Sequence, residues 1–237
     1  MGEVLAVSLR RSARAATLLA LLAVAGCGSD TSKTEGSQIA LGVAKSLKSK
    51  MFSRKAAAPA TPDPEKLAQA ALKSFEGPII LAQLESSGLL TVLGEYGRNG
   101  AVRTYSTPNE QTLVLRDGLL IATRGLGKDL MSSETGEVAG LILARQAGNG
   151  RHVYRYLDGE DIERPLPMEC SVTSGAAKSY SFAGTSHATV EMAETCRSAD
   201  GRTVTNSYWV TGSGLVALSR QWIGPGLGYV TIQTVRP

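Results

Sequence analysis

The stretch TLVLRDGLLIATR, residues 112–124, consists of two short apolar runs joined by Asp117 and Gly118. An Asp-Gly pair in that setting is a strong hairpin signal, because a two-residue type I′ turn needs positive φ at both central positions. It predicts strands over Thr112 to Arg116 and Leu119 to Arg124.

The same rhythm continues outward in both directions. Upstream, Pro78 to Glu85, Leu89 to Leu93 and Ala101 to Ser106 are short runs separated by Gly, Asn and Pro. Downstream come Arg151 to Leu157, Ile162 to Thr173, Lys178 to Phe182, Ala188 to Arg197, Arg202 to Thr211, Leu215 to Ile223 and Tyr229 to Val235. Asp158-Gly159, Asp200-Gly201 and Gly212 to Gly214 supply turns between them. Residues 125–150 break the pattern, predicting an irregular loop with a short helix or strand around Val138 to Leu143. One helix is expected before the strands: Asp63 caps it, Pro64 occupies N1, Glu65 complements the dipole, and Leu67, Ala71 and Phe75 share a face until Gly77-Pro78. The predicted class is mainly β: an antiparallel meander forming a curled sheet, sandwich or partly closed barrel with a short N-terminal helix. No repeat of solenoid or propeller length is present.

The amino-terminal residues predict an export signal. Arg10, Arg11 and Arg14 precede an apolar run from Ala15 to Ala25, which closes on Val24-Ala25-Gly26-Cys27. Eleven residues rise about 16 Å as a helix, too short for a hydrocarbon core of about 30 Å. A positive flank, a short apolar segment and small residues before the cut describe a secretory signal peptide. The VAGC box resembles that of bacterial lipoproteins, which implies cleavage after Gly26, acylation of Cys27 and a membrane partnership through the acyl chains. Gly28, rather than Asp, after the lipidated cysteine fits sorting to the outer membrane.

Charge divides the chain in the same way. Residues 1–26 carry three basic and one acidic side chain, 27–63 six and three, and 64–237 sixteen and seventeen. The basic excess therefore lies outside the predicted domain, and the footprint of a nucleic-acid binder is missing. Residues 27–63 read as a lipidated basic tether, with Ile39, Val43, Leu47 and Met51 on one helical face and a Pro- and Ala-rich spacer from Ala56 to Pro64. The predicted organisation is a signal peptide over 1–26, a tether over 27–63 and a β-rich domain over 64–237. Of the three cysteines, Cys170 and Cys196 remain after Cys27, and in an exported chain they are expected to form a disulfide.

Motifs for chemistry are scarce. The histidines, His152 and His187, lack partners at metal-ligand spacing, and each is expected to be structural. No GxSxG, HExxH or P-loop pattern occurs, and no catalytic residue, metal or cofactor is expected. The acidic run Asp158, Glu160, Asp161 and Glu163 reads as a hairpin tip, and GPGLG at 224–228 as a turn.

More distinctive are RDG at 116–118, ATRGLGKDLM at 122–131 and QWIGP at 221–225. With the lipobox and a β-rich domain, these make the span from Pro78 to Val235 similar to the YjbF/GfcB family of outer-membrane lipoproteins. The resemblance implies a periplasm-facing β protein associated with exopolysaccharide and group 4 capsule production, and it carries no catalytic residues across. The TRGLGKDLM segment itself has two readings. Arg124 and Asp129 bind the backbone of a tight bend, or Arg116, Arg124 and Lys128 are donors to a partner or polymer, with Trp209 or Trp222 as a stacking platform. The functional expectation is a non-enzymatic, lipid-anchored accessory protein in polysaccharide export. It binds an outer-membrane barrel or other export component, or the polysaccharide itself. The alternative is a carrier of lipid or of outer-membrane proteins, with an apolar cavity inside the curled sheet.

Overall fold

Alternating apolar residues, cut at short intervals by turn residues, give this chain strands that can bury one face only by curling around it. The computed structural model describes residues 62–237; the signal peptide, Cys27 and the tether helix lie outside them. Helix α1 (Pro64–Ser74) is followed by β1 (Ile79–Leu84), β2 (Leu90–Asn99), β3 (Val102–Ser106), β4 (Thr112–Arg116), β5 (Leu119–Arg124) and β6 (Ser132–Glu134). Then come α2 (Gly136–Ala144), β7 (Gly148–Leu157), β8 (Glu163–Phe182), β9 (Thr185–Ser198), β10 (Thr203–Thr211), β11 (Val216–Gly224) and β12 (Gly228–Arg236).

All twelve strands form one antiparallel sheet in the order β5-β4-β3-β2-β1-β12-β11-β10-β9-β8-β7-β6. Every strand lies beside its neighbour in sequence, except that β1 pairs with β12 while β5 and β6 form the two edges. The result is a nearly closed barrel, a meander circularised by its first and last strands and split between β5 and β6. The β4–β5 hairpin is as the sequence predicts, with φ of 50° at Asp117 and 87° at Gly118. Gly118 is also required by space, since a Cβ there would lie 2.7 Å from Val216 Cβ.

Two strands run longer than their apolar runs suggest. β2 continues to Asn99 past an irregularity between Glu95 and Gly97, which disturbs the alternation. The predicted runs Ile162 to Thr173 and Lys178 to Phe182 are one strand, β8, because a shift in register between Ser174 and Ala177 absorbs the intervening small residues without ending the pairing with β9. Within the irregular 125–150 segment, the short element around Val138 is helix α2.

The two helices among the described residues serve different faces. Asp63 Oδ1 caps α1 through the Glu65 N–H, and Ala68 and Ala71 pack on the outer face of the sheet at Ile79, Leu81 and Val235. β1 is consequently buried on both sides over Ile79, Ile80, Leu81 and Ala82. α2 instead lies against the inner face of β7, where a Cβ at Gly148 or Gly150 would meet Leu141 or Val138 at 2.9 Å. Gly148, Gly150, His152, Tyr154 and Tyr156 share that face by strand alternation, so β7 runs from the helix through the barrel centre to the opposite end.

Candidate functional site

Successive connections of an antiparallel meander alternate between its ends, so the β5–β6, β7–β8 and β11–β12 connections lie together. They enclose a cleft of about 650 Å³ lined by Lys128, Asp129, Met131, Tyr156, Asp161 and Gly226, among others. Around this end, Leu89, Leu157 and Ile162 are exposed large apolar side chains. The described chain enters at the far end, where α1 meets the β8–β9 turn through Glu65 Oε2 and the Ala183 N–H, 3.0 Å apart.

The cleft wall is also the barrel seam. Leu130 O accepts from Thr123 N at 2.9 Å on the β5 side, and Met131 N donates to Arg155 O at 2.9 Å on the β7 side. Thr123 Oγ1 accepts from Leu130 N at 3.0 Å and donates to Asp129 Oδ1 at 2.7 Å, while Asp129 also accepts from Leu126 N at 3.2 Å. Arg124 donates to the carbonyls of Thr123, Leu130 and Met131 at 2.5, 3.1 and 3.2 Å. The backbone-bound reading of TRGLGKDLM is therefore what the structure contains.

The other two distinctive motifs meet across the barrel. Gln221 Oε1 accepts from Leu120 N at 2.7 Å, and its Nε2 donates to Gly118 O at 2.9 Å. This satisfies backbone groups that an edge strand leaves without a ladder partner. Gly224 admits the Tyr156 ring, which a Cβ would approach to 2.6 Å, and the Tyr156 hydroxyl donates to Ile223 O at 2.7 Å. A Cβ at Gly226 would run into the Lys128 side chain.

The five residues offered from sequence as a binding set do not converge. Arg116 lies at the far end beside the β4–β5 turn, and the guanidinium of Arg124 is taken up by the seam. Trp222 is buried on the inner face, 6% exposed, with Tyr154 and Tyr156 against it edge-on at 5.1 and 6.0 Å. Trp209 lies on the outer face, by alternation with the buried Tyr208 and Asn206. Only Lys128 lines the cleft. Its acidic neighbour Asp158 serves as a turn cap, because hydrogen bonds from the Ile162 and Glu160 N–H groups and Arg164 hold its carboxyl below the usual range.

Deeper in the barrel lies a polar cluster that sequence reasoning missed. His152 Nε2 is 2.6 Å from Ser133 Oγ, and its Nδ1 is 2.7 Å from Glu194 Oε1. Glu194 Oε2 accepts from Asn206 Nδ2 at 2.8 Å and from the Tyr208 hydroxyl at 2.9 Å. Asn206 also donates to the Tyr154 hydroxyl at 3.1 Å and accepts from Trp222 N at 2.8 Å. Burial pushes the Glu194 carboxyl up, but the hydrogen bond and charge of His152, joined by Asn206 and Tyr208, outweigh it and leave the group below its ordinary range. Nδ1 donates to the carboxylate, and Nε2 shares a hydrogen bond with the Ser133 hydroxyl. Beside this pair, Cys170 and Cys196 form the expected disulfide.

Ser133, His152 and Glu194 thus follow the order nucleophile, base, carboxylate. A working triad also requires substrate to reach the nucleophile. Ser133 is 7% exposed and lines neither the cleft nor the small apolar pocket between β1 and β4. One sequence signal for the cluster was available: Glu194 alternates with the apolar Met192 and Cys196, an inward parity that predicts a buried carboxylate in need of a partner.

A family model described as group 4 capsule polysaccharide lipoprotein GfcB, YjbF, matches residues 44–235. The chain belongs to the YjbF family. Among solved structures, it is similar to the hypothetical lipoprotein YmcC of Escherichia coli K12, at 16% identity and a TM-score of 0.62, covering 81% of this chain and 94% of that one. An exported protein of Bacteroides fragilis NCTC 9343 with a YmcC-like fold matches at 13% identity and a TM-score of 0.27, covering 68% of this chain and 95% of that one. No curated protein matches. The YmcC likeness establishes the fold, a nearly closed antiparallel barrel. Among the described residues no helix is long and apolar enough to cross a membrane.

Proposed function

We infer that this member of a capsule lipoprotein family is an outer-membrane accessory protein in exopolysaccharide or capsule export. It is held by acyl chains on Cys27 and acts by binding rather than catalysis. The observation that carries the reading is the cleft end. Two of the three distinctive stretches, ATRGLGKDLM and QWIGP, build its walls, and the exposed Leu89, Leu157 and Ile162 surround it. Apolar side chains around a cleft that also carries charged groups suit a protein surface, so the first-choice partner is another component of the export machinery. The described chain enters at the opposite end, an arrangement that leaves the cleft free to meet it.

A photo-crosslinking residue at Ile162, in cells making the polymer, is expected to capture a polysaccharide-export protein, whereas one at Tyr96 is not. Equal capture at both positions, or none at Ile162, counts against the cleft as the contact surface. Ile162→Asp with Lys128→Glu is expected to lower surface polysaccharide at unchanged protein level. Cys27→Ser should move the protein from the membrane fraction to the soluble one; unchanged fractionation refutes the anchor.

The carrier reading finds little support inside the barrel. Its centre is filled by α2, the polar cluster and the Tyr154–Trp222–Tyr156 aromatics, and the apolar pocket between β1 and β4 holds about 20 Å³. That is room for about one water rather than an acyl chain.

A further inference from the structure

We propose that, when the Cys170–Cys196 disulfide is reduced, the centre of the barrel is a zinc site with His152, Glu194 and the two cysteines as ligands. A ring nitrogen of His152, a carboxylate oxygen of Glu194 and both Sγ atoms lie within 4.8 Å of one another, and all four residues are buried. Cys170 and Cys196 are directly opposed on β8 and β9 with Cα atoms 4.0 Å apart. Once the S–S bond is cut, the two sulfurs need only spread to the roughly 3.8 Å that tetrahedral Zn–S bonds of about 2.3 Å impose. Two thiolates, one imidazole and one carboxylate form a closed four-coordinate set for zinc.

The outer atoms of the ligands favour the same reading. His152 presents Nδ1 to the cluster while Nε2 is held by Ser133, and Glu194 presents Oε1, 3.2 Å from Cys196 Sγ, while Oε2 is held by Asn206 and Tyr208. His152 and Glu194 therefore each have one atom aimed inward and the other fixed from behind, as metal-binding imidazoles and carboxylates require. In the oxidised protein the two inward atoms satisfy each other at 2.7 Å.

The chemistry balances with a dithiol as reductant. Both sulfurs are buried in the closed barrel, so the exchange belongs to the chain before β8 and β9 are enclosed or while they are open: the reductant's thiolate attacks one cystine sulfur, and the mixed disulfide is resolved by its second thiol. The reductant leaves as a disulfide, having supplied two electrons and two protons to Cys170 and Cys196. Zinc then displaces those two protons to solvent, and the Nδ1 proton passes to Nε2, which donates to Ser133. The barrel centre is thereby pinned by a covalent bond in one redox state and by a metal ion in the other.

The test uses the full chain carrying Cys27→Ser, so that Cys170 and Cys196 are its only thiols, reduced with a phosphine and titrated with Co²⁺. One equivalent is expected to give a thiolate-to-cobalt charge-transfer band with intense tetrahedral d–d bands, bleached by Zn²⁺; the oxidised protein should give neither. Asn206→Ala, which keeps every ligand, is expected to weaken binding about tenfold or more. A reduced, folded protein without these bands overturns the proposal. So does equal binding by a Cys170→Ser, Cys196→Ser form. Should reduction unfold the chain, Zn²⁺ is expected to restore its strand circular dichroism, and failure to do so also overturns it.

Discussion

Glu194 is completely buried and its partners hold its carboxyl below the ordinary range, so its energetics depend on them. Removing one member of a buried pair strands the other, at a cost of about 3–5 kcal/mol. Glu194→Ala and His152→Ala should each destabilise by that order in urea unfolding, and less than about 1 kcal/mol would show that the pair is not structural. The pH dependence follows from the lowered folded value. The carboxylate's contribution is fully present above its ordinary value of 4.5 and is lost as pH falls through the lower folded value. Glu194→Gln should therefore flatten the acid limb of the stability profile below that pH, and an unchanged limb would assign acid unfolding to other groups. At the cleft, Gly224→Ala places a methyl 2.6 Å from Tyr156 Cε1. Overpacking of that kind costs about 1–3 kcal/mol, measurable as a lowered urea midpoint.

Among the elements, the seam between β5 and β6 is held largely by side chains acting on backbone, in place of a ladder. Asp129→Ala removes the acceptor for Thr123 Oγ1 and Leu126 N, and a loss of about 1–3 kcal/mol is expected. Hydrogen exchange should accelerate at Leu126 and Leu130 while β9 and β10 stay protected; uniform acceleration would mean the seam is not a local unit. The β4–β5 hairpin and helix α1 were legible in the sequence because Asp117-Gly118 and Asp63-Pro64 fix local backbone geometry. The unity of β8 was not, since Gly175 and Ala176 look like a break and only the partner strand keeps the ladder going. The cleft was legible in part. The motifs that form it stood out, but Arg116, Trp209 and Trp222 diverge from it because their direction depends on strand parity and on which end each turn occupies. Neither quantity is fixed by motif spacing.

On the scale of the whole molecule, the disulfide ties the two longest strands together. Cys170 and Cys196 are 26 residues apart in sequence, a loop whose closure contributes about 3 kcal/mol on the chain-entropy account. The Cys170→Ser, Cys196→Ser form should lose that much in urea without metal, and no loss would mean the β8–β9 ladder alone fixes the pair. The join between β1 and β12 has a consequence in time. Ile79 finds its partner Arg236 only when nearly the whole domain has been made. Until then β1, buried on both faces in the finished barrel, presents an unpaired edge to any other unfolded chain nearby. Closing so long a loop is slow relative to local hairpin formation. The last nine residues of order thus decide when the first strand stops being an aggregation hazard, and a chain clipped before Gly228 should accumulate as aggregate rather than as a smaller barrel.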